Sequence, residues 1–484
     1  MKTIKSMPNA PCLIESMRSL GYSFESAIAD LVDNCISAKS KNIYIIQKPA
    51  NEPELIIIDD GYGMDSDELI EALRFGSKSP KDKRNEDDLG RYGLGMKSAS
   101  LSQCRQLIVA SKKEDTISCF SWDIDKVNET NDWSVLQYDE KSIDALPEIN
   151  TLKAFSHGTY VLLRNFDRIA EASDDVEEAM QDCISRTKDH LSLVFHRIMS
   201  EDGVKIFLNN SELIPKDPFL EHHKGTQPLD EQKIWIDDKA IIAKPFILPH
   251  MNALTSEDLE MVGGKDDLRA NQGFYIYRCR RLIIWGTWFR MENKREINKL
   301  ARVRVDIPNS LDSIWDIDVK KSTATIPYKI RKQLSATITA SILKSGTVIG
   351  YRGSLKRDEG YTYIWERETD RDNNAKYSVN RKHESIQLLY ESLNSDQQKL
   401  FELILSTIEN GLLVGNLYAD AASDRLQKAQ YDTEELIDGF NNCLAIAERN
   451  GVPREEAVEL FLKQEPFINY NNFKEEWRRK SYER

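Results

Sequence analysis

Apolar residues recur at helical spacing through residues 25–38, "ESAIADLVDNCISA", where Ala27, Ile28, Leu31, Val32, Cys35 and Ala38 trace a wide stripe. The segment reads as an amphipathic helix, yet it keeps Asp30, Asp33 and Asn34 in its middle. Asp30 and Asn34 stand four apart, one turn along a single face. Polar groups beside a core face are costly without partners, so structural contacts, or a metal ion and a ligand, are expected there. Next come the strand-like "NIYIIQ" (42–47) and "ELIIIDD" (54–60), then a capped helix, "DSDELIEALRFG" (65–76). "QLIVASKK" (106–113) and "GTYVLLRNF" (158–166) read as strands, and the acidic stretch 167–199 reads as one or two helices.

A second alternating set starts with the hairpin "VKIFLNNSELIP" (204–215), whose "NN" supplies the turn. It continues through "KIWIDDKAIIAKPFIL", "GFYIYRCRRLIIWG" and "ARVRVDIP", then a helix from "PYKIRKQLSATITASILKS" with Pro in its first turn. Short strands follow to about residue 383, and the remainder is helical and charged. The pattern predicts an α+β protein in three parts: 1–200, 201–346 and 347–484.

Composition narrows the function. The chain has 484 residues, too many for one core, and a net charge of −13. Such a chain repels nucleic acid and anionic membranes except at a local basic patch. No apolar run approaches the roughly 18 residues of a membrane span, and the first twenty residues lack the apolar core of a secretion signal. The seven cysteines are scattered without a CxxC pair, which predicts reduced thiols and a cytoplasmic protein with neither disulfides nor a zinc site.

Two further motifs bear on chemistry. In "IIIDDGYGM" (56–64) an apolar strand runs into Asp59, Asp60, Gly61 and Gly63, allowing a tight turn where backbone meets a flat ligand closely. In "LGRYGLGMKSASL" (89–101) Gly90, Gly93 and Gly95 open a helix near Met96, and Lys97 adds a positive charge. Free N–H groups at such a start can cradle phosphate. The spacing is neither a Walker A loop nor a dinucleotide fingerprint, since an acidic loop and not a strand precedes it.

The order matters more than any single motif. Acid-plus-amide helix, DxGxG, GxxGxG-helix and "HGTYVLL" (157–163) fall in sequence within about 140 residues. This arrangement resembles the GHKL ATPase superfamily, which includes gyrase-type topoisomerases, MutL, MORC proteins, the ninety-kilodalton heat-shock chaperone and sensor histidine kinases. The resemblance implies a Bergerat fold, a mixed sheet with helices on one face, and ATP under a mobile lid. Position by position, it implies that Asn34 holds magnesium against the triphosphate and that Asp59 reads the adenine amino group. Gly63 then lets the base lie flat, Thr159 helps hold the adenine-side carboxylate and water, and Gly93, Gly95 and Lys97 form the phosphate-contacting lid, with Gly61, Gly90, Tyr92, Leu94 and Met96 also in the ATP-binding set. Asp30 falls where the family generally has the glutamate that deprotonates the attacking water. Being one methylene shorter, it must regain reach through backbone position or an intervening water.

The residues before the first box hold no histidine, which argues against a sensor kinase. The second unit resembles the transducer domain of the topoisomerase, MutL and MORC branch, most of all bacterial MORC-like members. In that branch a transducer lysine reaches the γ-phosphate, and "WDIDVKKSTATIP" (315–327) offers Lys321 first and Lys320 second. The resemblance implies a homodimer that closes on ATP as a clamp in DNA transactions, in bacterial restriction or anti-phage defence, alongside a nuclease or helicase-like partner. A chaperone-like clamp on a protein client and a nucleotide-gated scaffold with little turnover are the alternatives. Residues 277–305 carry nine Lys and Arg against two glutamates. Arg278, Arg280, Arg281 and Arg290 are therefore candidates for DNA contact, the alternative being a basic strand face paired with acidic helices of the same protein.

Overall fold

The computed structural model of the protein describes residues 8–19, 21–48, 52–76, 95–236, 238–264, 266–311, 326, 328–350, 361–369, 375–413, 417, 432–470 and 472–482. Residues 1–348 pack as one compact unit and 349–484 as another.

The first unit is organised by two sheets. Strands β1 (Asn42–Lys48), β2 (Glu54–Asp59), β3 (Gln106–Lys113), β4 (Thr116–Asp123), β5 (Leu136–Gln137), β6 (Gly158–Arg164), β7 (Lys205–Leu208) and β8 (Ser211–Glu212) form the first, in the order β5-β4-β3-β6-β2-β1-β7-β8. All its pairings are antiparallel except β1 with β7, so the sheet is mixed. Its central strands are apolar on both faces. Leu55, Ile57, Leu107, Val109, Val161 and Leu163 point into the larger core, while Ile56, Ile58, Ile108, Ala110, Tyr160 and Leu162 point to the other side.

Helices α1 (Ala10–Arg18), α2 (Phe24–Ser37), α3 (Ser66–Leu73) and α4 (Gly95–Gln103), with the helix Val176–Val194, feed apolar side chains into the larger core. Two short helices, Glu140–Asp144 and Ile149–Ala154, cover part of the opposite face through Ile143, Ile149 and Leu152. The stripe on α2 is the one the spacing predicts. Ile28, Leu31, Val32 and Cys35 are buried in the core, each large aliphatic contributing about 1.5–3 kcal/mol. Ser23 caps α2, and α3 starts with a capping box between Asp65 and Glu68.

The "NN" hairpin forms, with Asn209 and Asn210 both at positive φ. It differs from the sequence reading in its place, for it lies in the first sheet, where Asn42–Ile45 pair in parallel with Lys205–Leu208. Without β7 the edge of β1 would present unpaired backbone groups. A local alternation pattern cannot reveal which sheet a strand will join.

The second sheet contains β9 (Gln227–Pro228), β10 (Gln232–Ile236), β11 (Lys239–Ile247), β12 (Gly273–Arg278), β13 (Arg281–Thr287) and β14 (Ala301–Ile307). Its order is β10-β11-β14-β12-β13, with β9 beside β11. Cys279 and Arg280, both left-handed, turn β12 into β13. The helix Tyr328–Gly350 follows, where the sequence expects it.

The unit 349–484 has a two-stranded antiparallel ribbon, Trp365–Thr369 with Ala375–Val379, and helices. Its core centres on Phe440, ringed by Phe461, Phe467, Phe473 and Trp477.

Candidate active site

Asp59 ends β2 at the register position opposite Thr159 of β6. Its carboxylate is 3% exposed and accepts from Ser40 Oγ at 3.0 Å and the Gly61 amide at 2.8 Å. Burial pushes the Asp59 carboxyl above the usual carboxylate range, only partly offset by those two donors. Cys35, on the last turn of α2, lies against the same carboxylate, and burial followed by Asp59 raises its thiol. Asp60, by contrast, is held below the ordinary range despite partial burial, because its carboxylate accepts from Asn42 and Lys41.

The glycines around Asp59 answer to close approach. A Cβ on Gly63, at φ +66°, would sit 2.0 Å from the Lys112 carbonyl oxygen. One on Gly61 would meet Ala38 Cβ and Ser40 Oγ at 2.7 Å. Tyr62 N–H donates to Ala38 O, and His157 Nδ1 lies 2.5 Å from Gly61 O, so the DxGxG turn is tied both to the end of α2 and to the fourth box. Ser111 bridges further, with Oγ 3.2 Å from Thr159 Oγ1, 3.0 Å from Gly158 O, and accepting from Met64 N–H. Three of the four boxes thus meet at one corner. Ser40, Ser111 and Cys35 were missed in the sequence because a hydroxyl or thiol on a strand or helix end carries no motif of its own.

Along α2 the polar residues divide. Asn34 is exposed, whereas Asp30 and Asp33 are 5% and 2% exposed. Both acids face Arg281 of the second sheet: its Nε is 2.7 Å from Asp33 Oδ1, and a terminal nitrogen is 3.5 Å from Asp30 Oδ1. The exposed Asn34 amide offers one hard oxygen, which suits a magnesium ion held chiefly by phosphate oxygens and water. Among the described residues no group of three or more His, Cys, Asp or Glu could hold a metal by itself.

Gly95 and Met96 open α4 and are half-buried, as the sequence expects of a helix start after a glycine loop. Lys97, expected at the phosphates, is engaged with backbone carbonyls in this structure. It is 1% exposed, and its ammonium donates to Ala72 O at 2.9 Å and Arg74 O at 2.7 Å, closing the end of α3. These two carbonyls take two of the three ammonium donors. Gly90, Tyr92, Gly93 and Leu94 lie outside the described residues, as do Lys320 and Lys321.

The arginine cluster is also corrected in part. Arg278 and Arg281 are 4% and 6% exposed, so neither presents a charge to a phosphate backbone. Arg302 is fully buried, and Arg304 is paired with Glu221 and Asp306. Arg280 is exposed but paired with Asp202 at 2.6 Å, and Arg290 is exposed. The alternative weighed in the sequence, a basic strand face satisfied by acids of the same protein, accounts for most of the cluster.

Residues 22–159 match the family described as histidine kinase-, DNA gyrase B-, and HSP90-like ATPase. ATPase MORC2 of Homo sapiens is 36% identical over 97 residues, 19% of this chain and 9% of that protein. ATPase morc-1 of Caenorhabditis elegans is 36% identical over 94 residues, 19% of the chain and 11% of that protein. DNA mismatch repair protein MutL of Rickettsia rickettsii is 31% identical over 96 residues, 20% of the chain and 16% of that protein. The matches thus span a small part of each relative's length.

Proposed function

We propose that the chain, whose residues 22–159 match the GHKL ATPase family and resemble MORC and MutL proteins, hydrolyses ATP with magnesium and closes as an ATP-dependent homodimeric clamp in DNA transactions, in bacterial restriction or anti-phage defence. The observation that carries this reading is the corner where Asp59, the end of α2 and the glycine turn meet, with the exposed Asn34 one turn beyond the buried Asp30.

In this reading the Asp59 carboxylate accepts from the adenine amino group, and the close-packed Gly61–Gly63 turn lies against the base. Asn34 contributes its amide oxygen to magnesium, which when bound neutralises charge on the phosphates. Asp30 accepts the proton of the attacking water as the water oxygen bonds to the γ-phosphorus. The bond from that phosphorus to the bridging oxygen breaks, leaving ADP and phosphate. Lys321, with Lys320 as second choice, supplies positive charge to the γ-phosphate. Coupling to shape is thermodynamic, since ATP closes the clamp only as far as it binds the closed dimer better than the open chain. Arg290 and Arg280, two of the exposed arginines of the second sheet's basic stretch, are the proposed DNA contacts.

Light-scattering mass tests the reading. A non-hydrolysable ATP analogue with magnesium doubles the mass, and Asp30→Asn holds the doubled mass with ATP itself. A mass that stays at one chain in both cases contradicts the clamp.

A further inference from the structure

Arg281 opens β13 directly after the left-handed turn Cys279–Arg280 and is paired across the hairpin with Arg278. Its side chain runs inward, away from the second sheet's surface. The guanidinium lies over the ring of the buried Phe195, 5.6 Å from its centroid, and reaches α2. Asp30 and Asp33 are three apart on that helix, so they project from one face, and a planar fork can span both. Elsewhere the hairpin tip and α2 are less tightly joined. A cavity of about 250 Å³ lies between Ile36, Lys39 and Ser40 on one side and Cys279 and Arg280 on the other. The charged contact therefore bridges elements that apolar packing leaves partly apart. His190, whose ring lies tilted against Trp285 of β13 with centroids 5.8 Å apart, is held neutral, its pKa lowered to about 4 by burial first and Arg281 second. It adds no competing positive charge beside the fork.

We propose that Arg281 is a positioning residue for hydrolysis: by gripping Asp30 together with Asp33, it makes the orientation of the attacking-water base depend on where hairpin β12–β13 stands. This rests on the reading of Asp30 as that base. The second sheet would then control turnover from its own side of the molecule, independently of any lysine that reaches the phosphate. Asn34 is exposed, unlike the two buried acids that face the fork, so nucleotide binding and hydrolysis should separate.

The experiment uses the full chain and measures three things in parallel: affinity for a fluorescent ATP analogue, kcat and KM for ATP, and the thermal midpoint. Lysine at 281 keeps the charge but cannot span two carboxylates. Arg281→Lys is expected to lower kcat by about 10- to 100-fold, the scale of a misplaced reacting group, while analogue affinity and KM stay near wild type. Asp30→Asn sets the reference, and the double variant Asp30→Asn/Arg281→Lys should turn over no more slowly than Asp30→Asn alone. A second variant, Asp33→Asn/Arg281→Gln, removes one charge of each sign. It leaves the net charge of the cluster unchanged and should show the same split. If Asp30→Asn turns over like wild type, the base assignment falls and the proposal with it. If Asp30→Asn is slow but Arg281→Lys keeps wild-type kcat, the proposal alone falls. It falls equally if the two losses multiply in the double variant, or if kcat and thermal midpoint decline together in both Arg281 variants, since Arg281 would then be structural only.

Discussion

Asp59 illustrates how a recognition group opposes the fold that holds it. Its carboxyl is raised by burial, so folding makes the charged form costlier than it is in the unfolded chain. A carboxyl with a raised folded pKa gives stability that is fully present below its unfolded value, near 4, and lost as pH rises through the folded value. Asp59→Asn should therefore raise the thermal midpoint at pH 7, and the advantage should vanish below about pH 4, where the wild-type group is protonated folded or unfolded. The same variant should lose ATP binding; melting curves across pH, together with nucleotide titrations, check both halves. Lys97 makes the opposite kind of residue-scale prediction. Lys97→Met strands the carbonyls of Ala72 and Arg74 and should cost about 1.5–3 kcal/mol of stability, read from denaturant unfolding. Wild-type stability with lost nucleotide affinity would instead restore the phosphate role that the resemblance assigned to it.

At the scale of elements, the DxGxG turn, the end of α2 and β6 behave as one piece, and Gly63 is where that piece is least forgiving. Gly63→Ala must place its Cβ on the Lys112 carbonyl and hold a left-handed backbone, at a cost of at least about 1–2 kcal/mol. Thermal melting should show the loss even without nucleotide. The strands β1, β2, β3 and β6 and helices α2 and α3 were legible in the sequence because apolar runs, period and caps are local signals: the apolar run in 55–58, the stripe in 27–38, the Asp65–Glu68 box. The DxGxG stretch was legible as a tight turn, and Asp59, Gly61 and Gly63 stand together as their spacing suggests. What could not be read was anything decided by tertiary partners. Lys97 follows a glycine loop and looks like a phosphate ligand until α3's end is found beneath it. Arg281 looks like surface charge until α2's two acids are found facing it. The hairpin at 205–212 needed only an open edge, and that edge belonged to the other sheet.

At the scale of the whole molecule, the net charge of −13 sets the terms of any contact with DNA. Arg278, Arg281 and Arg302 are buried and so add nothing to the cations that the second sheet can present to a phosphate backbone. Duplex binding by the ATP-closed form should weaken with salt on a slope that reports few phosphate contacts, and Arg290→Glu should weaken it across all sequences alike. Filter binding at several salt concentrations measures both; a slope of zero would favour a protein client. These readings share one premise, a triphosphate seated beside α2 with its metal on the Asn34 amide. Calorimetric titration of ATP into wild type and Asn34→Ala, each with and without magnesium, tests it most directly. Wild type should bind far better with the metal present, and Asn34→Ala should lose that difference or bind nothing. Equal affinity and equal magnesium dependence in the two proteins would contradict the account.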